Sequence, residues 1–164
     1  MSMAIRPMKR GDVSGVYEVE LACFRSPWSK NALAGELRNP VAHYHVLELD
    51  GRIAGFAGMW VLFEEAHITN IGILPEHRRN GYAFALMLSM MEHAAQIGAT
   101  AMTLEVRESN AGAQKLYKRL HFEQNGFRPR YYEDTGEGAL LLWNTDIRAT
   151  LQRYGIETAD APEA

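Results

Sequence analysis

The run from His67 to Met87 limits what this chain can fold into more than any other stretch. Ile68, Ile71, Ile73 and Leu74 form a buried β run that Pro75 stops. Arg78, Arg79, Asn80, Gly81, Tyr82 and Ala83 follow, and Ala85 to Met91 is rich in strong helix formers. The reading is a strand, a short basic turn and a helix. The first N–H groups of a helix and the positive end of its dipole attract an anion. Gly81 and Ala83 carry little or no side chain, so a phosphate oxygen can come close to the backbone there. The alternative on these features alone is an ordinary strand–turn–helix connection with exposed arginines.

The spacing Arg78-x-x-Gly81-x-Ala83 resembles the Arg/Gln-x-x-Gly-x-Gly/Ala motif of the Gcn5-related N-acetyltransferases (GNAT), and Asn70-Ile71-Gly72-Ile73 matches the strand before it. The resemblance implies acetyl-CoA as co-substrate. The backbone of Ile71, Gly72 and Ile73 would pair with the pantetheine arm. Arg78, Arg79, Asn80, Gly81, Tyr82, Ala83 and Phe84 would hold the pyrophosphate.

In chain order, Ala4 to Met8 reads as a strand. A helix follows with Asp12 as N-cap and Val13, Val16, Tyr17, Val19, Leu21 and Phe24 at its apolar positions. Ser26 before Pro27 predicts the cap of a second helix, which Asn39-Pro40 ends. His43 to Leu49 and Ile53 to Phe63 are strands joined by Asp50-Gly51, a strong hairpin signal. After the central strand and its helix, with Gly98 beyond the helix end, Ala101 to Arg107 alternates strictly. Met102, Leu104 and Val106 share one face, so Glu105 lies on the other. Ser109 or Asn110 opens another helix, and Phe122 to Tyr132 with Leu140 to Trp143 closes the chain as a hairpin. The order β-α-α-β-β-β-α-β-α-β-β predicts an α/β (mixed α+β) chain. By resemblance this is the GNAT acetyltransferase fold over residues 1–147, a mixed, splayed sheet of about six to seven strands flanked by about four helices. Residues 148–164 are expected as an extension, partly helical and then disordered.

Acetyl transfer to an amine needs a neutral amine, a stabilised oxyanion and a proton for the leaving thiolate. Glu105 is the candidate base and Tyr117 the candidate acid. In isolation the favoured readings are a solvated strand carboxylate for Glu105 and an amphipathic core tyrosine for Tyr117. Asn110, Ala113 or Gln114, and Tyr117 share a helix face. The segment Leu104-Glu105-Val106-Arg107-Glu108-Ser109-Asn110, with Leu116-Tyr117 and Leu120-His121-Phe122, resembles the RimI-type branch of the acetyltransferases. That branch acetylates the N-terminal alanine of a small-subunit ribosomal protein. The resemblance makes Glu105 the general base, Tyr117 the general acid and Asn110 an acetyl-CoA contact. Phe24 and Trp28, with Tyr131 and Tyr132 after Arg130, are similar to residues flanking the peptide entrance in that branch. One departure is His121, where the family usually has glycine. Histidine tolerates the left-handed backbone better than most residues, so strain without rearrangement is expected.

Composition narrows the alternatives. At 164 residues with 47% hydrophobic and 23% charged residues, the chain is one domain's worth of ordinary globular sequence. A net charge of −3 gives no general footprint for nucleic acid. Cys23 is the single cysteine, no signal-peptide core leads the chain, and no apolar run is long enough to span a bilayer. A cytoplasmic protein is expected, without membrane or nucleic-acid partners; the sequence leaves the oligomeric state open between a monomer and a weak dimer. His43, His45, His67 and His77 show no metal-ligand spacing, so no metal is expected. The favoured activity is acetyl-CoA-dependent Nα-acetylation of a protein N-terminus. Lysine or small-molecule amine acetylation, or non-catalytic acyl-CoA binding, are the alternatives.

Overall fold

Each predicted β segment forms a strand in a computed structural model that describes residues 2–158. The strands are β1 (Met3–Pro7), β2 (Ala42–Leu49), β3 (Arg52–Leu62), β4 (Glu65–Ile73), β5 (Ala101–Arg107), β6 (Glu123–Arg128) and β7 (Ala139–Asn144). They form one seven-stranded sheet in the order β1-β2-β3-β4-β5-β7-β6. The helices are α1 (Val13–Cys23), α2 (Lys30–Glu36), α3 (Tyr82–Gln96), α4 (Ala111–Arg119) and α5 (Ile147–Arg153). The fold is thus mixed α+β. Its fifth helix lies at the start of the expected extension, whose last residues, 159–164, fall outside the described part of the chain.

Contacts divide the chain into two compact units. One runs to Val61 and includes Thr69–Met90; the other comprises Leu62–Ile68 and the chain from Met91 on. In the first, β1 and β3 each pair antiparallel with β2. The Asp50-Gly51 turn joining β2 to β3 has φ of 49° and 79°, the positive pair that a tight hairpin demands. Its core joins Val13, Val16 and Val19 of α1 to Leu33 of α2 and to Tyr44, Val46 and Phe56 of the sheet. The rings of Tyr44 and Phe56 stack there, 6.3 Å apart.

In the second unit β4 pairs parallel with β5 through Glu65–Ala101, Ala66–Met102 and His67–Thr103. β7 lies antiparallel between β5 and β6. Met91, Met102, Leu104, Leu120, Ile147 and Leu151 are fully or almost fully buried. Each such side chain stabilises the fold by about 1.5–3 kcal/mol through area removed from water.

Two predicted caps differ in detail. Asp12 precedes α1 but does not cap it. Its carboxylate accepts the Lys9 N–H at 2.7 Å and pairs with both Arg6 Nη atoms at 2.7 and 2.9 Å. The charged partner on β1 outcompetes the helix N–H groups. The cap of α2 is Ser29 rather than Ser26: Ser29 Oγ accepts the Ala32 N–H at 3.0 Å. The Trp28 N–H is already donated to Glu20, which holds the chain out of the helix until Lys30. The closing hairpin is shorter than predicted, with β6 ending at Arg128 and Tyr131 and Tyr132 in the loop beyond it.

Candidate active site

In the first unit the basic turn is built as its sequence predicts. Pro75–His77 is one turn of 3-10 helix, Arg78 is extended, and α3 begins at Tyr82. Arg79 and Gly81 have φ of 66° and 79°. Those values cost a non-glycine residue free energy, so the turn shape is imposed by its surroundings at Arg79 and freely adopted at Gly81. A Cβ built on Gly81 would meet nothing within 4 Å. Glycine is needed there for its backbone angle, and the space beside it is open. Arg78 turns back onto β4, where its Nε donates to the Ile73 carbonyl at 3.0 Å. Asn80 Nδ2 ties the turn to the His77 and Arg78 carbonyls at 3.0 and 3.1 Å. Ala83 and Phe84 sit in the first turn of α3.

The segment with Phe24 and Trp28 is bound to β4. Cys23 Sγ lies 3.3 Å from the Ile73 carbonyl, and a Cβ on Gly72 would stand 3.1 Å from Cys23 Sγ and 3.4 Å from the Phe24 ring. Gly72 is small because α1 closes on it. Glu20, almost fully buried, accepts the Trp28 N–H at 3.0 Å and Asn70 Nδ2 at 2.9 Å. Burial pushes its carboxyl pKa up against the pull of those two donors. Burial also raises the Cys23 thiol, the wrong direction for a nucleophile.

In the second unit β5 alternates as predicted, with Met102, Leu104 and Val106 buried and Glu105 on the other face. Glu105 Oε2 is 2.7 Å from His67 Nε2. This contact follows from register, because His67 stands opposite Thr103, two residues from Glu105 on the same face. Burial pushes the Glu105 pKa up, but the hydrogen bond and charge of His67, with Arg128, outweigh it and hold the carboxyl below its ordinary value. His67 is raised, chiefly by the same bond. At neutral pH Glu105 is therefore the anion, the state that can accept a proton.

Tyr117 is buried on α4, edge-on to Phe122. Burial, and after it Tyr132, pushes its phenol up to about 12, so it keeps its proton across physiological pH. Among the described residues no fully buried side-chain nitrogen or oxygen lacks a partner. Asn110 caps α4, its side chain accepting the Ala113 N–H at 3.1 Å, and Gln114 on the same helix donates to the Arg107 and Glu108 carbonyls. Tyr131 and Tyr132 meet edge to face at 5.0 Å. Tyr132 feels both Arg107 and Glu105. The second unit thus gathers Glu105, Tyr117, Tyr131 and Tyr132. Ile71, Gly72, Ile73, Phe24 and Trp28 belong with the basic turn in the first. No group of three metal-ligating side chains occurs among the described residues, and no helix among them is long and apolar enough to cross a membrane.

Three contributors escaped the sequence reading. Glu20 carried a signal, since it lies four and seven residues after Val16 and Val13 and so shares their buried face. Arg107 shares the Glu105 face by alternation. His67 carried no local signal, because only strand register brings it to Glu105.

Residues 13–122 match the model of the acetyltransferase (GNAT) family. The chain belongs to that family, and it is an N-acetyltransferase. A Bacillus subtilis protein provisionally named a ribosomal protein bS18-alanine N-acetyltransferase is 44% identical over 143 residues, spanning 87% of this chain and 95% of its own. The ribosomal protein bS18-alanine N-acetyltransferase of Escherichia coli K12 is 30% identical over 140 residues, 84% of this chain and 94% of its own. The crystal structure of the ribosomal-protein-S18-alanine N-acetyltransferase from Escherichia coli superposes with a TM-score of 0.80 at 29% identity, covering 87% of this chain and 92% of that one.

Proposed function

We propose that this chain acetylates the N-terminal α-amine of a protein, with a bS18-type ribosomal protein beginning in alanine as acceptor and acetyl-CoA as donor. The reading is supported by relatives named for that reaction over nearly their whole length. The observation that carries it is the Glu105 carboxylate held 2.7 Å from His67 Nε2 in the unit that also buries the Tyr117 phenol.

Acetyl-CoA supplies an activated thioester whose carbonyl carbon the amine attacks. The residues present fit its pyrophosphate, since Gly81 faces open space at the N-terminal end of α3. Ile71, Gly72 and Ile73 would offer backbone groups to the pantetheine arm. Glu105 takes up the proton that the α-amine loses as its bond to carbon forms, directly or through a water. Tyr117 gives its proton to the sulfur as the carbon–sulfur bond breaks. The burial that keeps the proton on Tyr117 also makes it a reluctant acid, so transfer is driven by the thiolate charge developing in a dry site. His67 holds the Glu105 carboxylate in place. Tyr131 and Tyr132 would flank the acceptor chain beside Glu105 and Tyr117.

An α-amine with a pKa near 8 is roughly one-tenth neutral at pH 7, whereas a lysine near 10.4 is neutral in well under about a thousandth. A carboxylate held below its ordinary pKa is a mild base and suits the first. The test compares a peptide with a free N-terminal alanine against the same peptide blocked at its N-terminus and carrying an internal lysine, read by mass spectrometry. Acetylation of the first alone is expected. Equal reaction of the second overturns the α-amine assignment.

A further inference from the structure

Arg107 ends β5, two residues beyond Glu105 and on the same face. Its guanidinium makes a bidentate pair with Asp134, Nη1 to Oδ1 at 3.1 Å and Nη2 to Oδ2 at 2.9 Å. Nη1 also reaches Thr135 Oγ1 at 3.2 Å. The flat face of the same group lies 4.0 Å from the centre of the Tyr132 ring. One side chain therefore grips the far side of the loop through its edge and carries Tyr132 on its face.

The rest of that loop closes on itself. The Gly136 N–H donates to the Tyr132 carbonyl at 2.7 Å, and the Tyr132 N–H to the Glu137 carbonyl at 3.1 Å. Ser109 Oγ donates to Glu137 at 2.8 Å, and the Glu108 N–H to the Gly138 carbonyl at 3.1 Å. The second pair of anchors starts from the residues directly after Arg107. The loop is thus built as a lobe hung from the end of the strand that carries Glu105.

We propose that Arg107 is a positioning residue for acceptor binding: by clasping Asp134 and backing Tyr132, it fixes the 130–138 lobe beside Glu105 and Tyr117 and so sets the affinity for the incoming peptide. The inference rests on the peptide-acetylating reading above and deepens it. The geometry needs arginine in particular. Lysine keeps the charge but has neither the two-pronged fork for a carboxylate nor a flat face for an aromatic ring.

The experiment uses the full chain with Arg107→Lys, Asp134→Asn and the double variant, each checked by thermal melting. Kinetics with an N-terminal-alanine peptide should show a rise of about tenfold in the peptide KM for either single variant. The acetyl-CoA KM and the pH profile of kcat should match the wild type. The double variant should be no worse than the worse single one, because both break the same clasp. Hydrogen exchange at the Tyr132 and Gly136 amides should quicken in all three. A parallel rise in the acetyl-CoA KM, a fall in kcat at constant peptide KM, or unchanged exchange at both amides would each overturn the role of Arg107. A wild-type protein that acetylates no peptide α-amine would instead overturn the proposed function, and with it the acceptor role given to Arg107. In that event the exchange result still reports whether Arg107 holds the lobe.

Discussion

Nε2 of His67 stands 2.7 Å from Oε2 of Glu105, a histidine and a carboxylate brought together by the three-residue parallel ladder between β4 and β5. Each shifts the other toward its charged form. The pair therefore fixes both the charge and the direction of the carboxylate proposed to take the amine proton. It also makes Glu105 a weaker base than a free glutamate, which suits an amine that is already partly neutral.

The same pair makes stability depend on pH with a definite sign. His67 is raised, so its contribution is full below the ordinary histidine value of about 6.5 and is lost as pH rises through the raised value. Glu105 is lowered, so its contribution is full above the ordinary value of about 4.3 and is lost as pH falls through the lowered one. The melting-temperature difference between wild type and His67→Ala should be greatest between about pH 4.3 and 6.5 and shrink on either side. Melting curves from pH 4 to 9 check this. A difference that stays flat over that range means the bond carries no charge.

Glu105→Gln and Tyr117→Phe should separate the two proton transfers. General acid–base groups contribute about 10²–10⁴-fold in rate. Glu105→Gln should lose most at low pH, where the amine is protonated, and recover part of the loss as solvent deprotonates it. Tyr117→Phe should lower kcat at every pH with acetyl-CoA binding nearly unchanged. Wild-type kcat/KM from pH 6 to 9 in the glutamine variant would return Glu105 to an ordinary strand carboxylate.

Much of this was legible in the sequence because it is local. Alternation placed Glu105 opposite Met102, Leu104 and Val106. Asp50-Gly51 announced its hairpin, and Gly81 its turn. His121, expected to be strained without disturbing the chain, has φ of 65° and the turn stands. Its Nδ1 lies 2.9 Å from Thr150 Oγ1, and its ring stacks on Tyr154 at 6.2 Å. Those contacts offset a backbone cost of about 1–2 kcal/mol. What the sequence hid was long-range. Ser26 before Pro27 was the expected cap of α2, and Ser29 caps it instead because Glu20 on another helix holds the Trp28 N–H. The partner of Glu105 lay across a strand register that no local pattern states.

Gly81 separates backbone need from ligand space. Gly81→Val adds bulk and a strained φ, whereas Gly81→Asn adds a side chain that tolerates the left-handed region. Both should weaken acetyl-CoA binding about tenfold or more in isothermal titration, and only the valine variant should also melt lower. Unchanged affinity in both removes the turn as the pyrophosphate site.

Glu20 offers the sharpest test of how the Phe24–Trp28 segment is held. Its two oxygens accept two separate donors, Asn70 Nδ2 and the Trp28 N–H, in a buried setting. Glutamine has the same shape but one acceptor oxygen, and its NH2 would face one of those donors. One N–H is then left unpaired, which costs about 1–3 kcal/mol. At roughly 2–4 °C per kcal/mol for a chain of this size, the melting temperature of Glu20→Gln should fall measurably, with the largest deficit at low pH. Burial raises the Glu20 pKa, so the carboxyl's contribution is full below about 4.3 and is lost as pH rises through the raised value. Glutamine does not titrate, so the stability of the variant should fall less over that rise. If Trp28 flanks the peptide entrance, as the resemblance implies, the loss of its anchor should raise the peptide KM with kcat and its pH profile unchanged. A variant as stable as wild type with an unchanged peptide KM would mean that the Trp28 N–H does not need Glu20.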